Sequence, residues 1–345
     1  MPKLITGENT LNFLSMGQGE PVIMIHGLGA NLAFWYMGIA RPLTHQYQVV
    51  SYDLRGHGGS SMSPAGYTLV HMAADLKALL DHLNLERAHL VGHSYGARVA
   101  LFFSLLHPDR VRTLTLADTQ IESLQPRLTL REWPYWEQWK QTLRSQGYAS
   151  LPADDEIISF ELLQHFNQLS ANFTQGGLQG AAHRPSLRHR DMGIRGAARW
   201  RRLMNTTSAR TEFADESRLV PEEIKRLKAS TLAVYGEYSH CLASCHRLKE
   251  LLPECEVRIQ PGAGHFHPAI KPRLFVRSLL MFLNRHRRDR VEEFHWCGRE
   301  RRRFNGVVHF PLVDNFGANV LFDRRRRSGD TDWMSYAHGH QNELT

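Results

Sequence analysis

A mostly parallel, doubly wound α/β sheet carrying a helical cap insertion is the fold class that the 345-residue sequence predicts. Short apolar runs bounded by turn residues alternate with stretches of helical apolar spacing from Pro21 to Leu116. The same rhythm resumes at Thr231, and the residues between Asp118 and Thr231 depart from it. Strand, helix, strand in this order implies right-handed crossovers and a parallel sheet covered on both faces.

Residues 22–25 read as a buried strand, 49–53 as the next, 88–92 as a third and 112–117 as a fourth. Between the second and third, residues 67–83 place Leu69, Met72, Leu76, Leu79, Leu80 and Leu83 at helical spacing, and residues 95–106 follow the third strand at once as another helix. The core is expected over residues 1–118 and 229–284, with a helical cap over 119–228. Within the cap, Trp133, Trp136 and Trp139 recur at helical spacing, residues 154–169 read as an acidic-capped helix, and residues 176–202 are rich in Gly and Arg. The tryptophan stripe is read as packing between cap and body. Residues 231–235 and 256–259 give the last two strands, 242–251 a helix and 268–283 the closing helix. Residues 285–345 form an Arg-rich tail with no sustained period, expected to be disordered or appended.

The formal charge of +8 owes much to Arg clusters in that tail, at 287–288, 301–303 and 324–327. No aromatic-interleaved sheet or recognition-helix pattern accompanies them, so a nucleic-acid partner is not expected. The amino terminus has no apolar signal core, and no window reaches the ~18 apolar residues of a spanning helix. The expectation is a cytoplasmic protein without a membrane partner. Four cysteines (Cys241, Cys245, Cys255 and Cys297) are too few and too clustered for a disulfide framework. Cys241 and Cys245 lie one helical turn apart, but two ligands without a second pair read as packed thiols, not as a metal site.

Ligands of open parallel sheets bind beyond the carboxyl ends of the strands. At one such end stands Gly92-His93-Ser94-Tyr95-Gly96, a G-x-S-x-G run between a strand and a helix. A serine on so tight a turn takes a strained backbone, and the flanking positions must lack bulk for the helix to pack on the strand. The turn lifts the Ser94 hydroxyl to a helix amino terminus, where N–H groups favour developing negative charge. A second strand end carries His26-Gly27-Leu28-Gly29, whose glycines let the backbone approach a bound oxygen, so that the N–H groups of Leu28 and Tyr95 form an oxyanion hole. After the last strand, Gly262-Ala263-Gly264-His265 offers an imidazole base on a glycine-rich turn; His267 is the weaker candidate because Pro268 commits it to the helix entrance.

These motifs, together with Asp53-Leu54-Arg55-Gly56-His57-Gly58, occur in an order that resembles the α/β-hydrolase superfamily in its capped esterase-like branch, over roughly residues 11–283. The resemblance implies a nucleophile elbow, a cap over the pocket and no cofactor, and it makes Asp53 and His57 scaffold. It also implies a triad acid, commonly an aspartate three residues beyond the glycine of Val234-Tyr235-Gly236-Glu237-Tyr238-Ser239; that position here is Ser239, which cannot stabilise an imidazolium. Asp118, at the end of the 112–117 strand, is the favoured replacement because some relatives in the superfamily place their acid there; Glu237 and a Ser94–His265 dyad assisted by water or by Ser239 are the alternatives. The function expected is cleavage of a small-molecule carboxylic ester with an apolar group, through an acyl-enzyme on Ser94 with His265 as base. Serine at the elbow argues against the superfamily's dehalogenases and epoxide hydrolases, which use aspartate. Lactonase and thioesterase chemistry on the same machinery, and a non-catalytic ligand-binding member of the fold, are the alternatives; the sequence does not give an oligomeric state.

Overall fold

The structure, a computed structural model, describes residues 2–7, 9–36, 38–145, 150–159, 162, 187–287, 312–313 and 319–320. The chain divides into two compact units, Met1–Arg288 and Asp289–Thr345.

The first unit is built on an eight-stranded sheet: β1 (Lys3–Thr6), β2 (Asn9–Met16), β3 (Glu20–Ile25), β4 (Tyr47–Tyr52), β5 (Ala88–His93), β6 (Val111–Ala117), β7 (Ser230–Gly236) and β8 (Glu256–Gln260), in the order β1-β2-β4-β3-β5-β6-β7-β8. β3 to β8 run parallel, while β1 pairs with β2, and β2 with β4, antiparallel. The amino-terminal hairpin is absent from the sequence reading. In β2 the clean alternation of a half-buried strand is broken by Asn12, which is buried because its Nδ2 donates to Asp53 Oδ2 at 2.7 Å.

Among the described residues, the helices of ten residues or more are α1 (Leu69–His82), α2 (Tyr95–Leu106), α3 (Trp136–Ser145), α4 (Leu187–Thr206), α5 (Leu242–Leu251) and α6 (Pro272–Arg285). The closing helix expected over 268–283 is two pieces, His267–Ile270 and α6, because Pro272 takes the first-turn position of α6 and holds Lys271 at φ −123°, ψ 58°.

Successive residues of the central strands feed two separate cores. Ile23, Ile25, Leu90 and Leu114 pack on Met72, Leu76 and Leu79 of α1 and Val99, Leu101 and Phe103 of α2. Val22, Met24, Val91 and Val234 pack on Phe275, Leu279 and Phe282 of α6. Each such side chain contributes about 1.5–3 kcal/mol on leaving water, which is why a run as short as Val22-Ile23-Met24-Ile25 suffices to fix a central strand.

The segment between β6 and β7 has a small core of its own, in which Trp136 is buried with Leu130, Leu143, Ile158 and Leu162, and Trp133 and Trp139 pack partly against them. The tryptophan stripe therefore packs mainly within the insertion, and Trp133 Nε1 ties it to the body by donating to the Tyr238 carbonyl at 3.2 Å. Residues 154–158 are not helical. They lie against residues 128–131, with a bridge between Thr129 and Ile157. Asp154 accepts from Trp136 Nε1 at 2.7 Å and from Lys140 Nζ at 3.0 Å, so its carboxylate serves a tertiary contact and not a helix cap. The remainder of the helix expected to reach residue 169 lies outside the described residues except Leu162. The Gly- and Arg-rich stretch runs into α4, whose Trp200 and Leu203 join the main core.

In the second unit, β9 (Leu312–Val313) pairs antiparallel with β10 (Asn319–Val320). The rest of the Arg-rich tail beyond residue 287, with Cys297, lies outside the described residues. Among the described residues no helix is long and apolar enough to cross a membrane.

Candidate active site

β5 ends at His93, and α2 begins at Tyr95 with Ser94 alone between them. Ser94 takes φ 54°, ψ −121°, a left-handed backbone that costs a residue with a side chain about 1–3 kcal/mol and is kept only where the surroundings dictate it. Here the surroundings are backbone on every side. A Cβ on Gly92 would sit 2.3 Å from the Gly96 carbonyl oxygen, and one on Gly96 would sit 2.2 Å from that of Ile25. Only glycine at both positions lets α2 start so close to β3 and β5.

The strand ladders extend past their ends at this edge. Ser94 N–H donates to the Ala117 carbonyl at 2.9 Å, and Asp118 N–H to that of Val234 at 2.9 Å. Ser94 and Asp118 are therefore brought to neighbouring strand ends by pairing alone. Asp118 also has a positive φ, 50°, and is fully buried. Its Oδ2 accepts the Gly236 N–H at 2.8 Å, and its Oδ1 accepts the Ser239 hydroxyl and, at 2.9 Å, His265 Nδ1. The other ring nitrogen, His265 Nε2, lies 3.1 Å from Ser94 Oγ.

His265 comes from the loop after β8, two strands beyond Asp118, and three contacts bring it back across the sheet. His93 Nε2 donates to the His265 carbonyl at 2.9 Å, Tyr238 N–H donates to that of Ala263 at 2.9 Å, and Gly262 N–H donates to Glu237 Oε2 at 2.7 Å. Glu237 is thus engaged with the loop backbone and is not in contact with the His265 ring. Burial pushes the His265 imidazole down to about 3, with Arg98 adding to the fall. Near neutral pH the ring is uncharged, Nδ1–H donating to Asp118 and Nε2 free to accept from Ser94.

The turn after β3 is equally constrained. His26 is fully buried: its Nδ1 donates to the Gly27 carbonyl at 2.7 Å and its Nε2 accepts the Leu54 N–H at 3.0 Å. Gly27 lies against the serine, since a Cβ there would come 3.1 Å from Ser94 Cβ. This puts the turn that carries the Leu28 amide beside Ser94, which the Tyr95 amide follows at the head of α2. Asp53 braces the turn from below, Oδ1 accepting the Leu32 N–H and Oδ2 the Gly59 N–H, each at 2.7 Å. Arg55 pairs bidentately with Asp75, Nε at 2.7 Å and Nη2 at 2.6 Å. His57 Nδ1 donates to the Arg55 carbonyl at 3.0 Å. None of these three touches Ser94.

The sequence reading brings Ser94, His265 and Asp118 forward, and the structure puts them in one hydrogen-bonded line. Ser239, which the sequence offers as a helper to a dyad at the usual acid position, is a hydroxyl donor to Asp118. His93, which the sequence does not single out, holds the His265 loop; a lone imidazole gains its role only from what faces it across the sheet. His267, the second candidate base, is fully buried with Nε2 donating to the Val234 carbonyl at 3.1 Å, away from Ser94.

Four histidines at this end of the sheet, His26, His57, His93 and His267, are at most 3% exposed. Burial lowers all four from 6.5, His26 and His267 to about 4 and His57 and His93 to about 3. The unfolded chain binds these protons first, so stability that is complete above pH 6.5 drains away as pH falls toward 4. At about 1.4 kcal/mol per pKa unit per group, the expected loss between pH 7 and 4.5 is at least about 3 kcal/mol. It should be read as a fall in the urea midpoint; a midpoint flat across that range would mean the histidines are not held neutral.

Solved structures with the same fold include a bacterial membrane phospholipase A, 22% identical with TM-score 0.64 over 82% of this chain and 85% of that one. A lipase-like protein from Acinetobacter baumannii is 22% identical with TM-score 0.62, over 82% and 90% of the two chains. Among curated proteins, a fluoroacetate dehalogenase from Burkholderia sp. is 39% identical over 117 residues, 32% of this chain and 38% of that protein. A carbamate hydrolase-like protein from Caulobacter vibrioides, RutD, is 42% identical over 100 residues, 29% of this chain and 37% of its own length. The matched stretches thus span under two-fifths of these curated relatives. The profile of the alpha/beta hydrolase fold matches residues 20–271, and with its sheet order and its strand-turn-helix at Ser94 the chain belongs to that family.

Proposed function

We propose that the protein is a serine hydrolase of carboxylic esters. One observation carries this reading: His265 Nε2 stands 3.1 Å from Ser94 Oγ while its Nδ1 stands 2.9 Å from Asp118 Oδ1. Ser94 attacks the acyl carbon as its proton passes to His265, and Asp118 stabilises the imidazolium that forms. The N–H groups of Leu28 and Tyr95 receive the oxyanion. The alcohol leaves with the proton from His265, and water activated by the same ring then releases the acid and restores Ser94.

In this reading residues 119–228 act as the cap. A cavity of ≈ 200 Å³ whose walls include Ala30, Asn31, His57, Arg199, Trp200 and Leu203 shares the loop of the Leu28 amide but is not lined by Ser94 or His265. It fits a side pocket for an apolar acyl or alcohol group, not the reacting centre itself. A panel of p-nitrophenyl esters, lactones and thioesters with short and medium chains tests the assignment. Turnover of esters at least about tenfold above the other two classes in kcat/KM, a difference of about 1.4 kcal/mol in barrier, is the expected outcome. Preference for lactones or thioesters would keep the machinery and change the substrate; no labelling of Ser94 by a fluorophosphonate probe would leave the binding-module alternative.

A further inference from the structure

Next to the imidazole of His265 stands a thiol for which the hydrolytic mechanism has no use. Cys241, 1% exposed, directs its Sγ between two rings, 3.3 Å from His240 Nε2 and 3.7 Å from His265 Nδ1. Donor atoms of the three residues all lie within 4.8 Å of one another. A tetrahedral zinc site, with Zn–N of about 2.0–2.1 Å and Zn–S of about 2.3 Å, separates its sulfur and nitrogen donors by about 3.5 Å, between the two distances found here. Cys241 shares an apolar cluster with Cys245, Cys255 and Tyr235, but the ring nitrogens of His240 and His265 are the donors found within 3.7 Å of its Sγ.

We propose that His240, Cys241 and His265 form a Zn²⁺ site that reversibly switches off the hydrolytic centre. The three donors supply one thiolate and two imidazoles, a set suited to zinc and foreign to magnesium or calcium, which take oxygen. His240 is partly exposed and gives the ion an approach from solvent, and water completes the fourth position. On binding, the Cys241 thiol releases one proton to solvent and an S–Zn bond forms. Zinc on Nδ1 of His265 ends that atom's hydrogen bond to Asp118 and leaves the ring's proton on Nε2. The nitrogen facing Ser94 is then a donor that cannot take the serine proton, and the ring is held in the unproductive tautomer. The binding site stands on the three side chains alone; the switching rests on the reading of Ser94 and His265 as nucleophile and base.

Titration of the purified full-length chain with Co²⁺ reports the site directly, because a cysteine thiolate on tetrahedral cobalt gives a sulfur-to-metal charge-transfer band. The band should appear in the wild type, be displaced by Zn²⁺, persist in Ser94→Ala, and vanish in Cys241→Ser. His240→Gln, at a partly exposed position, gives an independent check on a variant with little folding risk, and should weaken zinc binding at least about 100-fold, more than loss of an outer partner does. Saturating Zn²⁺ should lower ester hydrolysis at least about 10³-fold, as a wrong imidazole tautomer does. EDTA should restore it, Mg²⁺ should have no effect, and Cys241→Ser should hydrolyse normally and resist zinc. Absence of the cobalt band in the wild type, or its survival in Cys241→Ser, overturns the site. A band with undiminished hydrolysis under zinc overturns the switch. A band in a protein that hydrolyses none of the panel would leave the site standing and remove the hydrolase reading instead.

Discussion

Ser94→Ala should reduce kcat on an activated ester by roughly 10⁵–10⁶-fold, the order of loss when the nucleophile of an acyl-transfer triad is removed. Labelling by a fluorophosphonate should disappear with it. The side chain is small, and its Oγ meets His265 rather than the core, so the fold and the thermal midpoint should change little. That separation makes the variant decisive: an intact fold without turnover assigns the chemistry to the hydroxyl. Hydrolysis persisting near the wild-type rate would instead dismiss the acyl-enzyme route. Residual rate over water, if any, would come from the Leu28 and Tyr95 amides and from substrate binding.

The second large effect concerns the carboxylate. Asp118→Asn should lower kcat/KM by about 10⁴-fold, because an amide no longer secures the Nδ1–H tautomer of His265 or stabilises its imidazolium. Glu237→Gln should stay within about tenfold of the wild type, less than about 1.4 kcal/mol in barrier, because its carboxylate accepts the Gly262 N–H and does not meet the ring. Comparing the two variants on one ester distinguishes an orienting acid from a loop brace. Equal losses, or a larger one for Glu237→Gln, would contradict the assignment of Asp118. Asp118 also accepts from Gly236 N–H and Ser239 Oγ, so the variant's urea midpoint should be measured alongside; rate lost far beyond any stability lost marks the catalytic role.

The proposed placing of the acid at residue 118 instead of residue 239 has a simple physical basis in this chain. β6 and β7 are adjacent and parallel, so the residues that follow them open onto the same space. A carboxylate from either strand end can approach the same imidazole nitrogen. With Ser239 at the second strand end, the hydroxyl becomes a donor that helps hold the Asp118 carboxylate in its buried place, where an unpartnered charge would be costly.

The sequence by itself determined what local rules govern. Apolar runs such as Val22-Ile23-Met24-Ile25 are buried on both faces and need no partner to be recognised, and β3 to β8 with α1, α2 and α5 follow from such runs and their turn residues. Ser94 between two glycines is likewise local, because the clash that excludes any side chain at Gly92 or Gly96 is set within one strand-turn-helix and its neighbour strand. Tertiary structure alone decided the matters in which polar groups meet across long stretches of chain. β2 is fastened beside β4 by Asn12 reaching Asp53, and Asp154 leaves a helical pattern to meet Trp136 and Lys140. The proximity of Asp118, Ser239, Cys241 and His240 to one imidazole belongs to the same class. Hydrophobic periodicity is a property of successive residues and is written along the chain, whereas a buried hydrogen bond or a ligand set is a property of pairs whose distance is fixed only when the strands take their places in the sheet.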